Sequence, residues 1–306
     1  MNIRQALARV PREVKVVAAV LVVGLSFFYL GSTLVRGIRQ LDLEQVRLQP
    51  VPLLLALLLF MAGNGIGGLC WSLILEGLGQ TLSLRQNIKT HLSATIAKYL
   101  PGYAWQILGK AYLCQRQGVS GDAIAVGIAL EFLCIVLTGL WAMAVTLPSA
   151  WLAAWGAVWL IPWRTGAAAV LTILLLGLPW LLSVGLGRIA PGRARNVAVR
   201  PKPLWRMLGW MIAAWCALGL AVYICARSFY PLGVADWPPM MFSWASSSIL
   251  SLAIIFVPTG IGIREGALAF LLGFRLPAAI AAIVAVLTRV LSVVGEALCF
   301  VLAQWL

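Results

Sequence analysis

Residues 90–115 read THLSATIAKYLPGYAWQILGKAYLCQ, and residues 240–274 read MMFSWASSSILSLAIIFVPTGIGIREGALAFLLGF. Both stretches are apolar enough to enter a membrane, yet each is broken in the middle, by Lys98-Tyr99-Leu100-Pro101-Gly102 and by Pro258-Thr259-Gly260-Ile261-Gly262. Proline removes a helical hydrogen bond and glycine weakens the helix around it. Backbone groups freed at membrane depth are tolerated only where protein or a water-filled cavity surrounds them. Both stretches therefore read as re-entrant helical hairpins, with Pro101, Gly102, Pro258, Gly260 and Gly262 as the hairpin breaks.

The rest of the chain agrees with a membrane setting. Of its 306 residues 62% are hydrophobic and 10% charged, and the mean hydropathy is +0.97. An ordinary soluble domain is roughly 45–50% apolar and about 25% charged, so the excess apolar surface must face lipid. Disorder, collagen and secreted disulfide scaffolds are excluded on the same ground. The net charge of +14 sits between apolar runs, where it reads as topology signal and anionic-lipid contact rather than nucleic-acid binding. The six cysteines lie in apolar stretches without metal or redox spacing and read as small hydrophobes.

A spanning helix needs about 20 mostly apolar residues, and six runs qualify: 14–35, 51–75, 122–147, 165–187, 205–229 and 276–304. The first follows Arg4, Arg9, Arg12 and Lys15 and reads as a retained helix rather than a cleaved signal. With the N-terminus inside, the basic linker 188–206 and the residues Arg85, Lys89 and Arg116 also fall inside, as the excess of positive charge in cytoplasmic loops requires. The C-terminus then ends inside. Between 149 and 163 the residues Trp151, Trp155, Trp159 and Trp163 recur every four positions, which predicts an amphipathic helix in the outer interface. The expected architecture is an all-α polytopic membrane protein, a single integral domain with about six spanning helices and two re-entrant hairpins.

An internal repeat emerges when the hairpins are superposed. Pro101 and Pro258 are 157 positions apart, and Gly118 and Gly273, which end the hairpins, are 155 apart. Each hairpin is followed by an Ala-rich spanning helix with a charge at mid-length, Glu131 in one and Arg289 in the other. The units 51–147 and 205–304 thus form an inverted repeat, the plan of transporters that expose one site alternately to each side.

Ionisable groups inside spanning helices are costly, so they point to function. Glu131 and Arg289 either pair with each other or face a polar cavity and contact a substrate headgroup. Glu296, two turns beyond Arg289, extends that polar track or is solvated at the inner interface. Arg264 follows a glycine break at the start of a half-helix, where backbone N–H groups, the helix dipole and a guanidinium suit phosphate. Glu265 caps that half-helix, pairs with a substrate amine, or closes an internal network with Arg264. In the first hairpin Lys98, Tyr99, Tyr103, Trp105, Gln106 and Lys110 offer a cytoplasmic-side headgroup site, although Lys98 and Lys110 also suit snorkelling. His91 lacks metal-ligand spacing to another ligand and reads as packed or interfacial, and Asn64 between Gly63 and Gly65 reads as close helix packing.

The motifs Lys98-Tyr99-Leu100-Pro101-Gly102, Gly109-Lys110, Gly118-Val119-Ser120, Glu131 and Pro258…Gly260-Ile261-Gly262-Ile263-Arg264-Glu265 resemble the lysylphosphatidylglycerol synthase transmembrane region, the flippase-like membrane protein family. The resemblance covers nearly the whole chain. It implies a role in moving phospholipids or related lipids, as in the membrane half of the multiple peptide resistance factor. Lys110 stands where the pattern leads one to expect Arg, which loosens bidentate phosphate binding. With no aminoacyltransferase domain before the end at Leu306, a stand-alone membrane domain is expected rather than a synthase.

The function this predicts is non-enzymatic translocation of a lipid with a phosphate-containing headgroup across the bacterial cytoplasmic membrane, without cofactor or metal. The alternatives are an intramembrane lipid-phosphate enzyme resembling a polyprenyl-pyrophosphatase and a non-catalytic partner of a lipid-modifying enzyme. The enzyme is disfavoured because metal-assisted phosphoryl chemistry wants clustered carboxylates. The expected partners are anionic or zwitterionic phospholipids or a polyprenyl-phosphate lipid, with a second copy of the chain or a lipid-synthesising enzyme as protein partners and no nucleic acid.

Overall fold

The computed structural model describes residues 49–99, 104–154, 156–189, 199–253 and 262–306. The expected first span (14–35), most of the linker's central charges and the breaks Pro101, Gly102, Pro258 and Gly260 lie outside the described residues. Within them the secondary structure is entirely helical. In chain order the helices are α1 (Pro50–Gly77), α2 (Leu84–Ile96), α3 (Ala104–Arg116), α4 (Gly121–Thr146), α5 (Ser149–Ala154), α6 (Leu160–Ile189), α7 (Pro201–Arg227), α8 (Trp237–Ala253), α9 (Ile263–Leu272) and α10 (Ala278–Gln304). Short 3-10 turns at Ala97–Tyr99 and Val234–Asp236 follow α2 and precede α8.

Five of these helices, α1, α4, α6, α7 and α10, are long and apolar enough to cross a membrane, and they match the other five expected spans to within a few residues. A helix of 27 residues is about 40 Å long at 1.5 Å per residue, more than the ~30 Å hydrocarbon core. Their outward faces are apolar, as lipid requires: on α6, Ile173 is 71% exposed.

Local signals fix where the helices begin. α1 and α7 open on Pro50 and Pro201, where the missing N–H costs nothing. Ser83 and Gln86 form a reciprocal cap on α2, Gln86 N donating to Ser83 Oγ at 3.2 Å and Ser83 N donating to Gln86 Oε1 at 3.1 Å. Ser120 caps α4 through Ala123 N. Gly262 precedes α9 at φ +85°, a conformation glycine adopts without penalty.

α1 and α7 form the centre. They approach through Gly63, against Leu218, and Gly77, against Leu204. One apolar cluster surrounds Ala56 and Phe60 of α1 together with α7, α8, α9 and α10. A second surrounds Trp71, Ile74 and Leu75 with α4, α6 and the first half of α7. Asn64 does not merely support packing between Gly63 and Gly65: its Nδ2 donates to Phe60 O at 3.0 Å, and the residue lines a cavity between the two clusters.

Helix ends gather into two layers. In one, Arg200 N donates to Gly77 O at 2.7 Å, Arg206 lies 3.9 Å from Glu76, and Arg85 donates to Trp305 O at 3.1 Å. In the other, Arg164 donates to Leu147 O at 2.6 Å, and Arg275, just after α9, pairs with Asp236, just before α8, at 2.5 Å. The α8–α9 segment therefore begins and ends in the same layer.

The tryptophan stripe at 149–163 is not one interfacial helix. α5 stops at Ala154, Gly156 turns at φ +66°, and Trp159 and Trp163 flank and join the start of α6. Trp151 is buried, its ring 5.7 Å from Phe242 and 5.3 Å from Phe274, so packing into the bundle wins over the period-four pattern. Trp159 and Trp163 are strongly exposed.

Two outcomes test this packing. A Cβ on Gly219 would stand 2.7 Å from Met241 Cα, whereas one on Gly65 meets nothing within 4 Å. Gly219→Ala is expected to destabilise the protein by about 1–3 kcal/mol, the cost typical of overpacking, and Gly65→Ala to leave thermal unfolding in detergent unchanged. Arg275, donating to the Asp236 carboxyl, and the Gly233 N–H hold that acid below the usual carboxylate range. A depressed folded pKa stabilises above the unfolded value of about 3.9 and is lost as pH falls below it. Asp236→Asn should thus lower the unfolding midpoint at about pH 6 and narrow its fall on acidification.

Candidate functional site

A cavity of about 360 Å³ lies at mid-length of α1 and α7, within the range of small-ligand sites of about 300–1,000 Å³. Its walls are of two kinds. Lys98, Lys110, Glu131, Arg264 and Arg289 provide charge, and Met211, Trp215, Leu218, Ile249 and Leu252 provide an apolar surface. Gln106 and His91 also line it.

The charges are paired, though not as the sequence suggests. Glu131 and Arg289 fall at the eleventh and twelfth positions of α4 and α10, yet they do not bond to each other. Lys110 on α3 donates to both Glu131 oxygens at 2.7 Å and sits 4.3 Å over the Trp71 ring. It is 3% exposed, which overturns the snorkelling alternative. Its third proton points at His91 Nδ1, 3.1 Å away. An ammonium can only donate, so Nδ1 is assigned as acceptor and the ring as the Nε2–H tautomer. The imidazole lies flush with α1 because Gly67 is bare: a Cβ there would stand 2.6 Å from Nε2.

Arg289 instead pairs with Glu265 on α9, Nε to Oε1 at 3.2 Å. The other Glu265 oxygen accepts from Gly262 N at 2.7 Å, so one carboxylate both caps the half-helix and holds α10. Arg264 stacks on Trp244, with Cζ 4.0 Å from the ring centroid, in the geometry of a cation–π contact. Lys98 bonds Glu296 on α10 at 2.6 Å. Glu296 is buried, so the solvated alternative for it is overturned.

The cavity thus gathers Lys98, Gln106, Lys110, Glu131, Arg264 and Arg289, with Glu265 and Glu296 behind them. Trp105 is 49% exposed on the outer face. Tyr103 lies outside the described residues, and the Tyr99 side chain is among those not described. His91, Trp71, Trp244 and Gly67 were not assigned to the site from sequence. The signal for the pairing was present, since Lys110…Glu131 and Glu265…Arg289 are each opposite charges on two helices joined by a glycine-ended turn. Among the described residues, four cations and three carboxylates converge here, leaving one net positive charge.

The family described as the lysylphosphatidylglycerol synthase TM region matches residues 15–298, spanning both interrupted segments and every charged residue of the cavity. The chain belongs to that family. No single curated protein matches the chain. Membership and the five apolar helices make this a multi-pass membrane protein of a lipid-handling family, and the cavity is where a member of that family has both charge and apolar surface.

Removing one partner of a buried pair strands a charge at a cost of about 3–5 kcal/mol, whereas replacing both with apolar groups is often neutral. Glu131→Leu alone should therefore lower the unfolding midpoint strongly, and Lys110→Met with Glu131→Leu should restore much of it, as measured by thermal unfolding of the detergent-solubilised protein.

Proposed function

We propose that this protein translocates a phospholipid or related lipid with a phosphate-containing headgroup across the bacterial cytoplasmic membrane, the headgroup passing through the cavity between two inverted repeats while the acyl chains stay in lipid. The observation that carries this reading is the mixed lining of the cavity: four cations and an extensive apolar surface line the same space, which matches an amphiphile better than a water-soluble ion. Arg264 is the leading phosphate ligand, in the first turn of α9, where the helix dipole adds to its charge. Arg289, Lys98 and Lys110 supply further cations, and Glu131, Glu265 and Glu296 set how tightly each is held. Tyr99, Tyr103 and Gln106 belong to the headgroup site on the same reading.

The charge pairs support the repeat. Lys110 and Glu265 are 155 positions apart and Glu131 and Arg289 are 158 apart, close to the 157 that separates Pro101 from Pro258. Each pair joins the second helix of a broken segment to the following long helix, with the signs exchanged. In this reading 90–115 and 240–274 are re-entrant hairpins that meet near mid-membrane from opposite sides. On this reading the layer holding Arg85, Lys89, Arg116, Arg200, Lys202 and Arg206 is cytoplasmic by its excess of positive charge, with both termini inside.

The test is transport in liposomes by the purified protein, using headgroup-labelled phospholipids and a polyprenyl phosphate. Wild type should move at least one class, and Arg264→Ala should slow it by about tenfold or more, the loss of one charge-assisted bond of ~1.5–3 kcal/mol. Full transport by Arg264→Ala would remove that residue from the mechanism, and absence of any lipid movement by wild type would refute translocation.

A further inference from the structure

The Lys110–Glu131–His91 cluster is more elaborate than a structural ion pair needs to be. Lys110 satisfies two acceptors that face each other: Glu131 Oε1 and His91 Nδ1 lie 3.5 Å apart, and the ammonium donates to both. All three residues line the cavity. If Lys110 swings toward an anion there, a carboxylate and an imidazole lone pair are left facing each other in a buried site, with no proton between them. Such a pair is corrected most cheaply by a proton, which bridges the two acceptors and replaces the lost positive charge.

We propose that His91 and Glu131 form a proton-binding site coupled to anion occupancy of the cavity. This rests on the reading of the cavity as a headgroup site. With the cavity empty, Lys110 holds both acceptors. When an anionic headgroup draws Lys110 away, the pair takes one proton from water, shared between His91 Nδ1 and the Glu131 carboxylate. When the headgroup leaves, Lys110 returns and the proton is released. One monoanion and one proton enter together, so the charge inside the cavity is the same in both states, and a proton gradient can drive a headgroup across without a nucleotide.

The other groups around the pair set its balance. Cys70 and Trp71 of α1, Cys114 of α3 and Cys134 of α4 flank it, Lys98 follows from the turn after α2, and Glu296 of α10 holds Lys98. Arg264 and Arg289 line the same cavity, and Lys89 lies on α2 itself. The nearby cations oppose a full extra positive charge on His91 while Lys110 is in place, so uptake depends on Lys110 leaving.

His91 is the single histidine of the chain, so its nitrogen resonances report the site directly once the protein is purified by a tag without histidine. At pH 7 in phosphatidylcholine nanodiscs, wild type should show a neutral ring protonated at Nε2. Lys110→Met should hold one extra proton, seen either as a doubly protonated ring or as an infrared band of a protonated carboxyl that adding Glu131→Gln removes. A neutral ring beside an ionised carboxylate in Lys110→Met overturns the proposal. Independently of that variant, wild type titrated with phosphatidylglycerol should bind it about tenfold more tightly per unit fall in pH across roughly pH 6 to 8, the slope for one linked proton. Binding that is insensitive to pH overturns the coupling. Should phosphatidylglycerol, phosphatidic acid and a polyprenyl phosphate all fail to bind, the translocator reading falls, and the Lys110→Met spectra then decide the proton site by themselves.

Discussion

A charge buried away from water must have a partner, and three carboxylates set much of the shape of this protein. Each lies within 3.2 Å of a cation: Glu296 at 2.6 Å from Lys98, Glu131 at 2.7 Å from Lys110 and Glu265 at 3.2 Å from Arg289. An isolated ion at that depth would cost several kcal/mol, so each pair is a strong constraint on where its two helices sit. Two of the pairs pin the second helix of a broken segment to the long helix that follows it, and the third pins the turn after α2 to α10. The interrupted segments lie beside the spanning helices because their charges have nowhere else to be neutralised.

Close packing supplies the second constraint. In lipid no hydrophobic force drives helices together, so small residues that allow backbones to approach carry more of the association. Gly63, Gly77 and Gly219 serve this at α7, the first two against Leu218 and Leu204 and the third against Met241. Gly67 serves a different end, since the space it leaves is filled by the His91 ring. One helix face of α1 thus both packs the centre of the bundle and positions the imidazole that meets Lys110.

The spans were legible because bilayer thickness sets a length that apolar runs must meet, and five of them recur in the structure at nearly the expected residues. The charged residues of the cavity were legible for a related reason: an ionisable group in an apolar run is conspicuous. Their pairing left a signal too, but the more conspicuous one pointed elsewhere. Glu131 and Arg289 share a depth in their helices, which suggested a bond across the molecule, but helices adjacent in the chain are adjacent in space, and each charge found its partner on the neighbouring helix. The tryptophan spacing misled for the opposite reason. A period of four describes a helix only while the backbone stays helical, and Gly156 turns it. His91 gave no signal at all, because its role comes from an acceptor pair that only the fold assembles.

The exchanged signs of the Lys110–Glu131 and Glu265–Arg289 pairs shape the cavity. Had both α3 and α9 carried the cation, Lys110 and a lysine in place of Glu265 would present like charges from the two short helices, and each long helix would offer a carboxylate. With the signs exchanged, one pair contributes its cation from the short helix α3 and the other from the long helix α10, so Lys110 and Arg289 reach the cavity from different kinds of element. Lys98 and Arg264 add one cation from each broken segment, and among the described residues three carboxylates stand beside the four. On the translocator reading, that balance suits a monoanion. The neighbouring wall of Trp215, Leu218 and Ile249 offers that anion an apolar flank rather than a path for bulk ions. Charge count and wall chemistry are independent features, and both agree with the proposed occupant, an amphiphile with a single negative headgroup.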